Sequence, residues 1–164
     1  MNVNTSSFLN KINMIPPDFE VDLFWHIDEE EILNPRNGSI VLVFNTFFNA
    51  SHQVVTRGQK MGELHQHSYR VQIRVKSMRM KDAEQMIVPY EELRGLTEKV
   101  SRAYEGKILN ELPPFKKLQP TTENFVGVIA QQLDRLARTK PFQILEVSIF
   151  ESPTISVTYL FKDR

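Results

Sequence analysis

His65-Gln66-His67-Ser68-Tyr69-Arg70-Val71-Gln72-Ile73-Arg74-Val75-Lys76 is the stretch on which the fold turns. Its odd positions read His, His, Tyr, Val, Ile, Val, and its even positions read Gln, Ser, Arg, Gln, Arg, Lys. Side chains on a β-strand repeat every two residues, so strict alternation marks a half-buried strand. His65 and His67 then share the face that buries Val71, Ile73 and Val75.

Working outward toward the N-terminus, Gly58 and Gly62 lie in a polar loop, and before it comes Phe48-Asn49-Ala50-Ser51-His52. The run from Ser39 to Phe48 is rich in β-branched and aromatic residues and follows the turn signal Asn37-Gly38, so it reads as a strand. Toward the C-terminus, Pro89 suits the first turn of a helix that carries Leu93, Leu96 and Val100 at helical spacing and ends near Gly106. A second helix is announced by Pro120-Thr121-Thr122-Glu123-Asn124, where a threonine can cap the N-terminus, and its apolar stripe is Phe125, Ile129, Leu133 and Leu136. Strands at 142–150 and 155–161, with a turn around Pro153, close the chain. The order ββααββ implies an α+β domain: a four-stranded antiparallel sheet with two helices packed on one face.

Residues 39–164 form this single domain, and residues 1–38 differ from it. Their charged residues are mostly acidic, and Pro16-Pro17 and Pro35 interrupt them. Phe8, Ile12, Phe19, Phe24 and Trp25 are too apolar for a disordered tail, so an ordered extension packed on the domain is expected. His26, within it, reads as a packing or surface histidine.

Lys+Arg and Asp+Glu both number 20, so no net field draws in nucleic acid or an anionic membrane. No apolar run is long enough to span a bilayer, and the first residues lack the pattern of a signal peptide, so a cytoplasmic protein is expected. Cysteine is absent, which removes disulfides and thiolate chemistry together. A transition-metal site must therefore use the 4 histidines and the carboxylates.

His65-x-His67 aims two imidazoles to one side of a strand, and His52 ends the strand before it. Three imidazoles can converge at one end of a hairpin, the donor set of many zinc sites with an open fourth position. The plainer alternative is a group of core-facing histidines satisfied by hydrogen bonds.

These residues and their neighbours resemble the 6-pyruvoyl-tetrahydropterin synthase family, which includes 6-carboxy-tetrahydropterin synthase of the queuosine pathway. Phe48-Asn49-Ala50-Ser51-His52 and His65-Gln66-His67-Ser68-Tyr69 look like its F-x-A-x-H … H-G-H-x-[YF] pattern. Met86 to Leu93 resembles G-x-[IV]-[IV]-D-[FY]-x-x-L, and Leu109-Asn110 resembles L-N. Pro120 to Asn124 resembles P-T-x-E-N, and Val147 to Ser152 resembles V-x-V-x-E-[TS].

The resemblance implies a tunnelling fold assembled as a trimer or a dimer of trimers, with Zn2+ on His52, His65 and His67. It implies a pterin substrate gripped by Glu151, since a carboxylate accepts two parallel N–H bonds. Glu123 is expected to support the helix start. The chain departs from the family at its proton relay. Met61 stands where the family has a cysteine base, and Tyr104-Glu105-Gly106 stands where it has L-D-H. Gln66 replaces the central glycine of H-G-H, and Pro89 replaces the aspartate before the aromatic. Glu105 and Glu63 are the candidate substitutes, with Lys107 nearby; for Glu63 and Lys107 the plainer reading is solvated loop charge. The activity implied is that of a zinc-dependent lyase on 7,8-dihydroneopterin triphosphate or a related pterin. The alternatives are a non-catalytic or regulatory pterin-binding protein, or an aldolase or epimerase on the same fold.

Overall fold

The computed structural model describes residues 28–33, 36, 38–56, 58, 60–76 and 86–162. Contacts divide the chain into residues 1–34 and 35–164. Of the first unit only residues 28–33 are described, and they contain the short helix α1 (Glu29–Leu33). His26 and most of the acidic extension lie outside the described residues.

The second unit begins with β1 (Leu42–His52) and β2 (His65–Lys76), paired antiparallel over their whole length. The register sets Phe44 opposite Ile73, Phe48 opposite Tyr69, Ala50 opposite His67 and His52 opposite His65. Cross-strand partners share a face, so the alternation read from β2 fixes the inward residues of β1 as well. Two helices follow, α2 (Tyr90–Tyr104) and α3 (Thr122–Ala137), and between them lie a short strand, β3 (Lys107–Ile108), and two 3-10 turns. β4 (Gln143–Phe150) and β5 (Ser156–Leu160) complete a sheet of order β3-β1-β2-β4-β5.

The sheet therefore has five strands rather than four. β3 is two residues long and runs parallel to β1, pairing Ala50 with Lys107. Two residues carry no readable period, which is why the sequence pattern does not reveal it.

The core lies between one sheet face and the helices. Val71, Ile73, Val147 and Ile149 from the sheet meet Leu93, Val100, Phe125, Ile129 and Leu133 from the helices, all buried. Burying each such side chain contributes about 1.5–3 kcal/mol. Toward the end of the sheet that carries the histidines the core becomes aromatic. Phe125 packs edge-on against Tyr69 (5.3 Å between ring centres), Tyr104 (4.9 Å) and Phe115 (5.6 Å). The capping threonine of α3 is Thr121, whose side chain accepts from the Asn124 amide. α2 ends at Tyr104, and Gly106 takes the turn out of it in the left-handed region (φ 67°), a conformation that favours glycine. No helix among the described residues is long and apolar enough to cross a membrane.

Candidate metal centre

The histidine end of the β1–β2 ladder stands on this aromatic floor, with His67 5.5 Å from Tyr69 ring to ring. Register alone brings His52 and His65 opposite one another, their rings edge-on with centres 4.6 Å apart. His67, two residues along the same face, closes a triangle at 5.1 Å from His52 and 4.8 Å from His65. The expected convergence of three imidazoles is thus present.

Two of the rings are oriented by backbone carbonyls. His52 Nδ1 lies 2.6 Å from the Pro120 carbonyl, and His65 Nδ1 lies 2.9 Å from the Glu63 carbonyl. A carbonyl only accepts, so each Nδ1 carries the proton and each Nε2 presents a lone pair. Metal-binding histidines are commonly held this way. Nε2 of His52 and of His67 is buried and has no hydrogen-bond partner among the described residues. Orphaned buried nitrogens are costly unless something else occupies their lone pairs, and a metal ion does so. Both nitrogens lie instead beside the Glu151 carboxylate, where a protonated ring could form an ion pair and a neutral ring could share a metal ion. His67 has its pKa lowered, chiefly by burial, with the Glu151 charge opposing and His52 and His65 adding to the shift. The neutral imidazole so favoured is the form that binds metals.

Glu151 joins the cluster. Its Oε1 lies 2.9 Å from His67 Nε2 and 3.3 Å from His52 Nε2. One donor atom each from His52, His65, His67 and Glu151 falls within 4.8 Å of the others, a group able to hold a metal ion. Burial raises the pKa of Tyr69 beneath them, with the Glu151 charge adding to it, so the phenol stays protonated at neutral pH.

A family model described as 6-pyruvoyl tetrahydropterin synthase matches residues 42–161. The chain belongs to that family. Solved structures share the fold at low identity. The Caenorhabditis elegans 6-pyruvoyl tetrahydropterin synthase matches with a TM-score of 0.65 and 16% identity, over 76% of this chain and 97% of that one. The Plasmodium falciparum enzyme matches with a TM-score of 0.60 and 18% identity, over 75% and 98%. A Plasmodium vivax 6-pyruvoyltetrahydropterin synthase, solved as a catalytic-residue mutant, matches at 0.57 and 17%, over 75% and 98%. Among curated proteins, none matches by sequence.

The other sequence candidates are placed differently. The Glu105 carboxylate accepts from the backbone and side-chain amides of Asn49, at 3.1 and 3.3 Å. It ties the end of α2 to β1 and is not part of the four-residue group. Glu63 is exposed, and the contact that links it to the site is through its carbonyl, on His65. Met61, at 57% exposure, bridges to Val55 within the β1–β2 connection, and Lys107 is exposed on β3.

Two supports are absent from the sequence-derived set. Thr122 donates from Oγ1 to Glu151 Oε2 at 2.6 Å, and Pro120 supplies the carbonyl on His52. Both belong to the Pro-Thr-Thr-Glu-Asn segment, whose helix-capping role masks its contribution to the site. Asn110 clamps the chain just past His52, accepting from the Gln53 amide and donating to its carbonyl.

Proposed function

We propose that this chain is a zinc-dependent lyase acting on 7,8-dihydroneopterin triphosphate or a related pterin, with a proton relay unlike the family's usual one. The observation that carries the proposal is the convergence of three imidazoles with orphaned Nε2 atoms beside a carboxylate, in a chain of this family. Zinc suits that nitrogen-rich donor set, and when bound it would polarise oxygens of the substrate side chain. His52, His65 and His67 would hold the metal, and Glu151 would grip the amino-pyrimidine edge of the pterin through two N–H···O bonds.

The base is proposed to be a carboxylate. Met61 cannot take a proton, and the chain has no cysteine. Glu63 is two residues from His65 and its side chain is exposed toward solvent, free to reach a bound substrate. In the Plasmodium vivax enzyme a glutamate is a catalytic residue, replaced in two of its solved variants. Glu105 is the weaker candidate because Asn49 already occupies its carboxylate. A positioned acid or base is worth about 10²–10⁴-fold in rate.

Exposed Phe47 on β1 and exposed Ile155 and Leu160 near the β5 edge support assembly into a trimer or dimer of trimers. The balanced charge supports a protein without a general attraction for nucleic acid. Placement in queuosine synthesis rests on the family likeness to 6-carboxy-tetrahydropterin synthase.

Incubation of the zinc-loaded chain with 7,8-dihydroneopterin triphosphate, followed by mass spectrometry for acetaldehyde or a pyruvoyl-pterin, tests the lyase reading. Absence of turnover at full zinc loading would remove it. A second reading, a pterin-binding protein without turnover, is favoured by Met61 and Gly106 at the relay positions. Tight neopterin binding without product would establish it.

A further inference from the structure

We propose that Glu151 is the fourth ligand of the resting metal and must leave it before it can grip a substrate. Donors at about 2.0–2.1 Å from a tetrahedral zinc stand about 3.3 Å from one another. Glu151 Oε1 sits 3.3 Å from His52 Nε2 and 2.9 Å from His67 Nε2, close to that edge length. Yet neither nitrogen hydrogen-bonds to it, although both are buried. Ring nitrogens that lie this close to a carboxylate oxygen without meeting hydrogen-bond geometry, in a group whose four donor atoms all lie within 4.8 Å of one another, suit co-ligands of one ion.

The second carboxylate oxygen is not free to join them. Oε2 accepts the Thr122 hydroxyl at 2.6 Å, and Thr122 is itself buried. A carboxylate held through one oxygen by an outer hydrogen bond offers the other oxygen to the metal. Glu151 also lines a cleft of 490 Å³ with Phe47, Ser68, Arg70, Phe150 and Ser152. It therefore borders both the histidine cluster and an open space.

Three histidines alone leave a coordination position open, whereas three histidines and a carboxylate fill a tetrahedral ion. The resting site is thus closed by its own glutamate, and release of Glu151 opens it. The release step rests on the pterin reading; the ligand assignment does not.

The test uses the full chain loaded with Co2+, whose visible absorption is strong when four-coordinate and weak at higher coordination. The wild type should show the strong, four-coordinate spectrum. Glu151→Gln should lower metal affinity at least about tenfold in chelator competition, and change the spectrum. Thr122→Val should weaken affinity by less, in the same direction, and it serves if the Gln variant does not fold. Unchanged affinity and spectrum in either folded variant would overturn the assignment. Neopterin added to the wild type should alter the cobalt spectrum. Neopterin that binds without altering it would overturn the release step. Failure of neopterin to bind, with the Glu151→Gln effect intact, would count against the pterin reading alone.

Discussion

The end of the β1–β2 ladder and the loop that joins its two strands carry different halves of the proposed site. At the ladder end, His52 faces His65 through strand register, and carbonyls of Pro120 and Glu63 orient the two rings. His52 is 3% exposed and rests on packed aromatic rings. The loop is tied by hydrogen bonds from the Gly62 amide to the Val54 carbonyl, from the Thr56 amide to the Lys60 carbonyl and from the Val55 amide to the Gln119 side chain, and it shows Met61, Glu63 and Leu64 to solvent. Metal donors must stand within a few tenths of an ångström of their positions, which regular strands supply. A proton carrier needs only to reach its proton, directly or through a water, so a loop can supply it from more than one position. By the motif resemblance, the three histidines stay at the ladder end, whereas the cysteine position in the loop is Met61.

Breaking the ladder end should have the largest effect. His52→Ala removes a buried ligand, and metal affinity should fall more than about 100-fold while the domain stays folded. Isothermal titration with zinc reads this, and an unchanged affinity would make the two regions equivalent. The loop is probed by Glu63→Gln. If Glu63 is the base, turnover should drop about 10²–10⁴-fold with metal content unchanged. A loss of metal instead would place Glu63 with the ladder end.

Smaller effects should come from the clamps. Asn110→Ala removes two hydrogen bonds to Gln53, each worth about 0.5–1.5 kcal/mol, and should lower the urea midpoint and loosen the chain beside His52. Glu105→Gln should be the mildest, costing about 1 kcal/mol or less, because the amide oxygen can still accept from Asn49. A fall in turnover as large as that of Glu63→Gln would move Glu105 into the chemistry and sharpen the contrast differently.

How much was legible follows from what kind of signal each feature leaves. Alternation along β2 is a periodic signal: burial enforces period two from Tyr69 to Val75, and the same strand pleat carries His67, half-buried, and His65, exposed, on that side. The helices are legible from their apolar stripes, and Thr121 from its position before one. β3 leaves no signal because two residues have no period. Thr122 and Pro120 act through one hydroxyl and one carbonyl, contacts that depend on tertiary packing 29 and 68 residues away in sequence. The family motif marks Glu151 as a candidate site residue. Its approach to the histidine nitrogens was not, because that depends on how β4 and its turn meet β2.

Everything proposed for this site requires that His52, His65, His67 and Glu151 hold a metal. Elemental analysis by mass spectrometry of the full chain, purified without chelator and supplied with zinc, tests it most directly. About one zinc per chain is expected, falling to near zero in the variant with His52, His65 and His67 all changed to alanine. A folded wild-type chain that neither retains zinc nor takes it up would contradict the account.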